Sequence, residues 1–109
     1  MKAASKHQLN WMRQLEVFNE VYMGRLTRLG VFEQANGERD DLWIEDGLPF
    51  QGIDVDLRDE PPGLEIMLGK YTHNIDNVRR LELHFSLDGS DDGLNVTDHA
   101  GKTTILRFE

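Results

Sequence analysis

With 109 residues, 39% of them hydrophobic and 29% charged, the chain is one domain large enough to bury a core and outside the low-hydrophobicity range of disordered proteins. It has no cysteine, which excludes disulfides, thiolate metal sites and cysteine nucleophiles and favours a reducing compartment. Twenty acidic residues against twelve basic give a net charge of −8, a field that repels phosphate backbones and anionic lipid and argues against nucleic acid or membrane as partner.

Residues 1–8 lack the apolar run of an export signal, and no later run is long enough to span a bilayer, so a cytoplasmic location is the expectation. Ser5-Lys6-His7-Gln8 fits a capping box. Trp11, Leu15, Phe18 and Tyr22 then recur at i, i+4, i+7 and i+11, one stripe of a helix over about residues 6–23, with Met12 and Val21 widening the stripe. Gly24 is the stop. Such a stripe must bury itself, so it is read as packing on a sheet rather than as a ligand face.

Strands follow, from about residue 25 to 108. Arg25 to Gln34 suits a strand, but its alternation breaks around Gly30, where a bulge would switch the inward face. Asn36-Gly37 marks a tight turn, and Leu42 to Glu45 is the return strand, ending at Asp46-Gly47-Leu48-Pro49. Trp43 points opposite Leu42 and Ile44, either over a second small core under the helix or half exposed at an interface.

Ile53, Val55 and Leu57 alternate with Asp54, Asp56 and Arg58, and Leu64, Ile66 and Leu68 alternate with Glu65 and Met67. With Asp59-Glu60-Pro61-Pro62-Gly63 between them, they read as an antiparallel hairpin with one apolar face under the helix. Tyr71 to Ile75 is a short strand and Arg80 to Leu87 a stronger one. Asp88 to Gly93 is a loop, and Leu94 to Asp98 and Thr103 to Phe108 form a last hairpin. The expected architecture is a single α+β domain over residues 1–109, an N-terminal helix packed on a curled, mainly antiparallel sheet of about seven or eight short strands, in a barrel-like form.

Leu48-Pro49-Phe50-Gln51-Gly52-Ile53-Asp54-Val55-Asp56 resembles the L-P-x-x-G-I-x-x-D core of a family of small bacterial domains of unknown function. Leu64-Glu65-Ile66 with Leu68-Gly69, then Thr72-His73-Asn74-Ile75, is similar to its L-x-I-x-L-G and T-H-x-I segments. Leu94 to Asp98, Gly101 and Thr104-Ile105-Leu106-Arg107 resemble its closing hairpin, and Trp11 its N-terminal tryptophan. The resemblance covers most of the chain and implies no activity; it draws attention to Gly52, Asp56 and His73.

Asp54 and Asp56 lie two apart on the polar side of a strand, with Cα atoms ~6.5–7 Å apart. Carboxylates so placed can share acid–base work if their pKa values are pushed apart, but with Arg58 alongside they read first as a solvated charge ladder. His7, His73, His84 and His99 have no metal-ligand spacing, so neither a metal nor a cofactor is expected. His73, beside the central hairpin, is the histidine best placed as a ligand or proton carrier, against the ordinary reading of a hydrogen-bonded structural histidine. Asp88-x-Ser90-x-Asp92-Gly93 imitates the start of a calcium loop, but His99 stands where the bidentate glutamate belongs. No G-x-S-x-G, P-loop or dinucleotide-binding glycine pattern is present.

These features favour a non-catalytic binding or protein-interaction module, a homo-oligomer or joined to a protein partner. Its candidate binding residues are His73, Asp54, Asp56 and Trp43, with Met67 another apolar side chain sent outward. One alternative is a small acid–base enzyme using His73 with Asp54 or Asp56, which needs those groups within ~3.2 Å of each other or of a shared water. The other is a small-molecule carrier whose curled sheet encloses a cavity.

Overall fold

The computed structural model describes residues 6–35, 38–56, 62–84 and 93–108. The capping-box Ser5, the turn at Asn36-Gly37, Arg58 and the calcium-like stretch at 88–92 lie outside them. Among the described residues one helix, α1 (Lys6–Tyr22), precedes seven strands: β1 (Leu26–Ala35), β2 (Glu38–Asp56), β3 (Gly63–Leu68), β4 (Tyr71–Ile75), β5 (Val78–His84), β6 (Gly93–Asp98) and β7 (Thr103–Phe108). All pair antiparallel, in the order β4-β3-β2-β1-β7-β6-β5.

That order forces the sheet to roll. In a flat sheet, strands ~4.8 Å apart would hold the outermost two, β4 and β5, about 29 Å from each other. Yet only Asp76 and Asn77 connect them, and the three Cα steps involved reach about 11 Å. The edges therefore meet at one corner, and the sheet is a half-barrel with α1 lying on its concave face.

Leu15, Phe18 and Tyr22 are buried there against Leu29, Phe50, Ile53, Leu64, Ile66, Leu68, Leu94, Val96 and Leu106, one or more from each of β1, β2, β3, β6 and β7. Phe108 completes an aromatic cluster: its ring stacks on Tyr22 at 4.4 Å and meets Phe50 edge-on at 5.4 Å, with Phe18 at 5.6 Å. The central hairpin forms as expected with its apolar side under the helix, and its register sets Ile53 opposite Ile66 and Val55 opposite Leu64. Gly24, at φ 85°, ends the helix as expected.

Two sequence expectations fail. Met12 and Val21 do not widen the buried stripe; they are 42% and 56% exposed, because the trough accepts only a narrow strip of helix. Asp46 to Pro49 does not end a strand either: β2 runs on for 19 residues to Asp56. Its breaks are absorbed as register shifts opposite Thr27/Arg28 and Leu29/Gly30, and again between Phe50 and Gly52, so the extra residues lie in β2 and bend it.

Past Pro49, β1 no longer covers β2, and the helix end takes over its free edge. Gly24 N donates to Phe50 O and Phe50 N to Arg25 O, each at 2.8 Å. Asn19 then receives Ile53 N on Oδ1 at 2.9 Å and donates Nδ2 to Ile53 O at 3.1 Å. One carboxamide thus pairs with a strand residue as another strand would, which fixes the helix over the bend.

Candidate functional site

Three places bring polar or exposed aromatic side chains together: the closed corner of the half-barrel, the convex face around Trp43, and the outermost strands.

His73 reaches the corner because the register of β4 puts it opposite Ile66, on the concave side with Tyr71 and Ile75. Its Nδ1 lies 3.4 Å from the Tyr71 hydroxyl, and the two rings are stacked at 6.3 Å. Burial holds the imidazole below its ordinary pKa of 6.5, and the Lys102 ammonium pushes the same way. A cleft of about 280 Å³ opens here, lined by His73, Asp76 and Asn77 on one wall and by Asp98, His99 and Lys102 on the other.

The second wall is a turn organised by Asp98, whose Oδ1 accepts Ala100 N and Lys102 N at 2.9 Å each. His99 N donates to Asn77 O at 3.0 Å and joins the walls; Asn77 itself has φ 55°, a left-handed backbone that asparagine tolerates well. Val78 N donates to Pro62 O, also at 3.0 Å, and pins the start of β5 across the corner.

The proposed acid–base couple is not assembled. Asp54 pairs with Glu65, which pairs with Asn74, all on the face opposite Ile53, Ile66 and His73. Asp56, two residues on, shares the Asp54 face. The period of two that made Asp54 and Asp56 neighbours is what turns them away from His73. The strand register therefore does not bring His73 together with either carboxylate. The carrier reading meets a different obstacle, since α1 and its aromatic cluster occupy the concave side where a chamber would have to be.

Trp43 lies on the convex side, across the sheet from the helix. It pairs with Gly30, where an added Cβ would come within 2.8 Å of the indole, and its ring meets Phe32 edge-on at 5.4 Å. The Arg28 guanidinium stacks 4.0 Å above it, a cation–π contact. Arg28 Nε, shut off from water, is 3.7 Å from Asp46 Oδ2, too long for a hydrogen bond. Trp43 remains 39% exposed and Leu42 65%. Trp43 therefore does not cover a second core under the helix; it is partly exposed on the opposite side of the sheet. Met67 is half-buried.

Compared with known proteins, the chain matches no family model, no curated protein and no solved structure. Among the described residues, no three histidines or carboxylates converge as a metal site, and no helix is long and apolar enough to cross a membrane.

The sequence reading missed Asn19, Arg28, Asp98 and Lys102. Asn19 had a faint signal, a polar residue one step from Phe18 inside the apolar stripe. Arg28 meets Trp43 through the shifted register of β1 on β2, and Asp98 and Lys102 share one turn; the rolling of the sheet carries that turn to His73, which no local spacing records.

Proposed function

We propose that the protein is a non-catalytic binding module that takes a protein partner along the open edges of its sheet. The observation that carries this reading is topological: β4 pairs only with β3, and β5 only with β6, among the described residues. An outermost strand offers a row of backbone donors and acceptors to an incoming strand. The contrast with β2 supports the reading, since that strand's free stretch is capped by Gly24, Arg25 and Asn19. The separation of His73 from Asp54 and Asp56 supports it too, because it removes the acid–base couple.

Site-specific photo-crosslinking tests it. A photoreactive residue is placed at Thr72 on β4, at Glu82 on β5, or at Arg13 on the exposed side of α1 as the control. Crosslinked adducts formed in cells at Thr72 or Glu82 and not at Arg13 are expected. Adducts equal at all three positions, or found at Arg13 alone, contradict the proposal.

A further inference from the structure

We infer that β5 is the edge used for self-association, and that two copies of the chain join through β5 in one register, centred on Leu81. This rests on the module reading and names the partner: a second copy of this chain.

The register follows from parity and charge. When two identical strands pair antiparallel about a two-fold axis, residue i of one copy faces residue j of the other, and i + j is constant. The concave, apolar sides of both copies fall on the same side only when that sum is even, because side chains alternate faces along a strand. On β5, Leu81 and Leu83 face the concave side, opposite Val96 and Leu94, and both are only half-buried. Arg80 and Glu82 face the convex side, opposite Thr97 and Asn95.

Three even registers centre on this part of the strand. Centring on Arg80 sets arginine against arginine, and centring on Glu82 sets glutamate against glutamate, both unfavourable directly across a ladder. Centring on Leu81 sets Arg80 of each copy against Glu82 of the other, twice, and brings the two Leu81 side chains together. Within one copy, Arg80 Nη1 and Glu82 Oε1 are already 3.5 Å apart, with side chains 65% and 48% exposed, so both are free to exchange partners. Of these three registers, the one centred on Leu81 alone pairs opposite charges. β4 has no charged pair to select one, its residues being Tyr71-Thr72-His73-Asn74-Ile75.

A contact of one seven-residue strand is below roughly 1,200 Å² of buried surface, the size of a weak interface. The association is therefore expected at high protein concentration, with a dissociation constant on the order of 0.1 mM.

The test is sedimentation equilibrium on the full chain up to millimolar concentration, with two single variants and one double. Arg80→Glu makes the convex side of β5 all acidic, and Glu82→Arg makes it all basic; each alone should weaken self-association at least tenfold. Mixing the two should restore a dimer, since the all-acidic strand now faces the all-basic one in the same register. The double variant Arg80→Glu/Glu82→Arg, which swaps the charges, should dimerise like the parent. Both positions are on the surface, and an unchanged circular-dichroism spectrum shows that the fold is kept.

A parent chain that stays monomeric at millimolar concentration overturns the inference. So do single variants that dimerise as well as the parent, or a mixture that does not associate. A monomeric chain that still crosslinks to another protein at Thr72 or Glu82 removes the self-association alone; absence of edge crosslinks removes the module reading itself.

Discussion

Asn19 shows how one side chain can substitute for a missing strand. Its amide satisfies both the N–H and the C=O of Ile53 at the bend of β2, where β1 no longer reaches. Asn19→Ala would strip both partners from a buried backbone, and a loss of about 1–3 kcal/mol is expected, read as a lower urea midpoint at unchanged m-value. Full stability in that variant would mean that water replaces the carboxamide without loss. His73 gives a second residue-scale prediction. Its native imidazole is held below the ordinary 6.5 by burial first and by Lys102 second. The native state therefore binds fewer protons than the unfolded chain between that lowered pKa and about 6.5. Stability from this group is complete above that window and falls as pH drops through it. An NMR titration should place the His73 midpoint below 6.5, and Lys102→Ala should move it upward. A midpoint that ignores Lys102 would refute the second cause.

At the scale of elements, the aromatic cluster ties the first element to the last. Phe108 on β7 contacts Tyr22 and Phe18 of the helix and Phe50 of β2, and the Arg25 guanidinium lies 5.3 Å from the Tyr22 and Phe108 rings alike. Phe108→Ala removes a ring from all of these contacts, and a cost of about 3 kcal/mol is expected, measured by urea unfolding. What could be read in advance follows the same physics. The helix stripe and the apolar sides of the central hairpin were legible because each element buries one side, and burial on one side writes a period into the sequence; the pairing of Ile53 with Ile66 and of Val55 with Leu64 was not. The continuity of β2 was not, because Gly47, Pro49 and Gly52 are the residues of bulges and of turns alike. The two-residue β4–β5 link was also hidden: the strand was expected to begin at Arg80, whereas Val78, 2% exposed, already belongs to it. With that link unseen, nothing indicated that residues 73–77 and 98–104 would share a cleft.

For the molecule as a whole, the closed corner sets the curvature, and its contribution can be separated from that of the core. Inserting Gly-Ser-Gly-Ser between Asp76 and Asn77 lengthens the link without touching a buried side chain. The entropy of a slightly longer loop costs well under about 1 kcal/mol. If the corner is held only by chain connectivity, stability should change by no more than that. The hydrogen bonds from His99 N to Asn77 O and from Val78 N to Pro62 O argue for more, since both need the short link to stay in place. Each is worth about 0.5–1.5 kcal/mol, so a total loss of about 1–3 kcal/mol is expected. Amide exchange should quicken at Val78 and His99 while the β1–β2 and β1–β7 ladders keep their protection. The His73 midpoint should rise toward 6.5 as the cleft opens, because the burial that lowers it is a property of the closed corner. Unchanged exchange at Val78 and His99 would show instead that the helix alone holds the sheet in its curve, with the β4–β5 link a passive consequence.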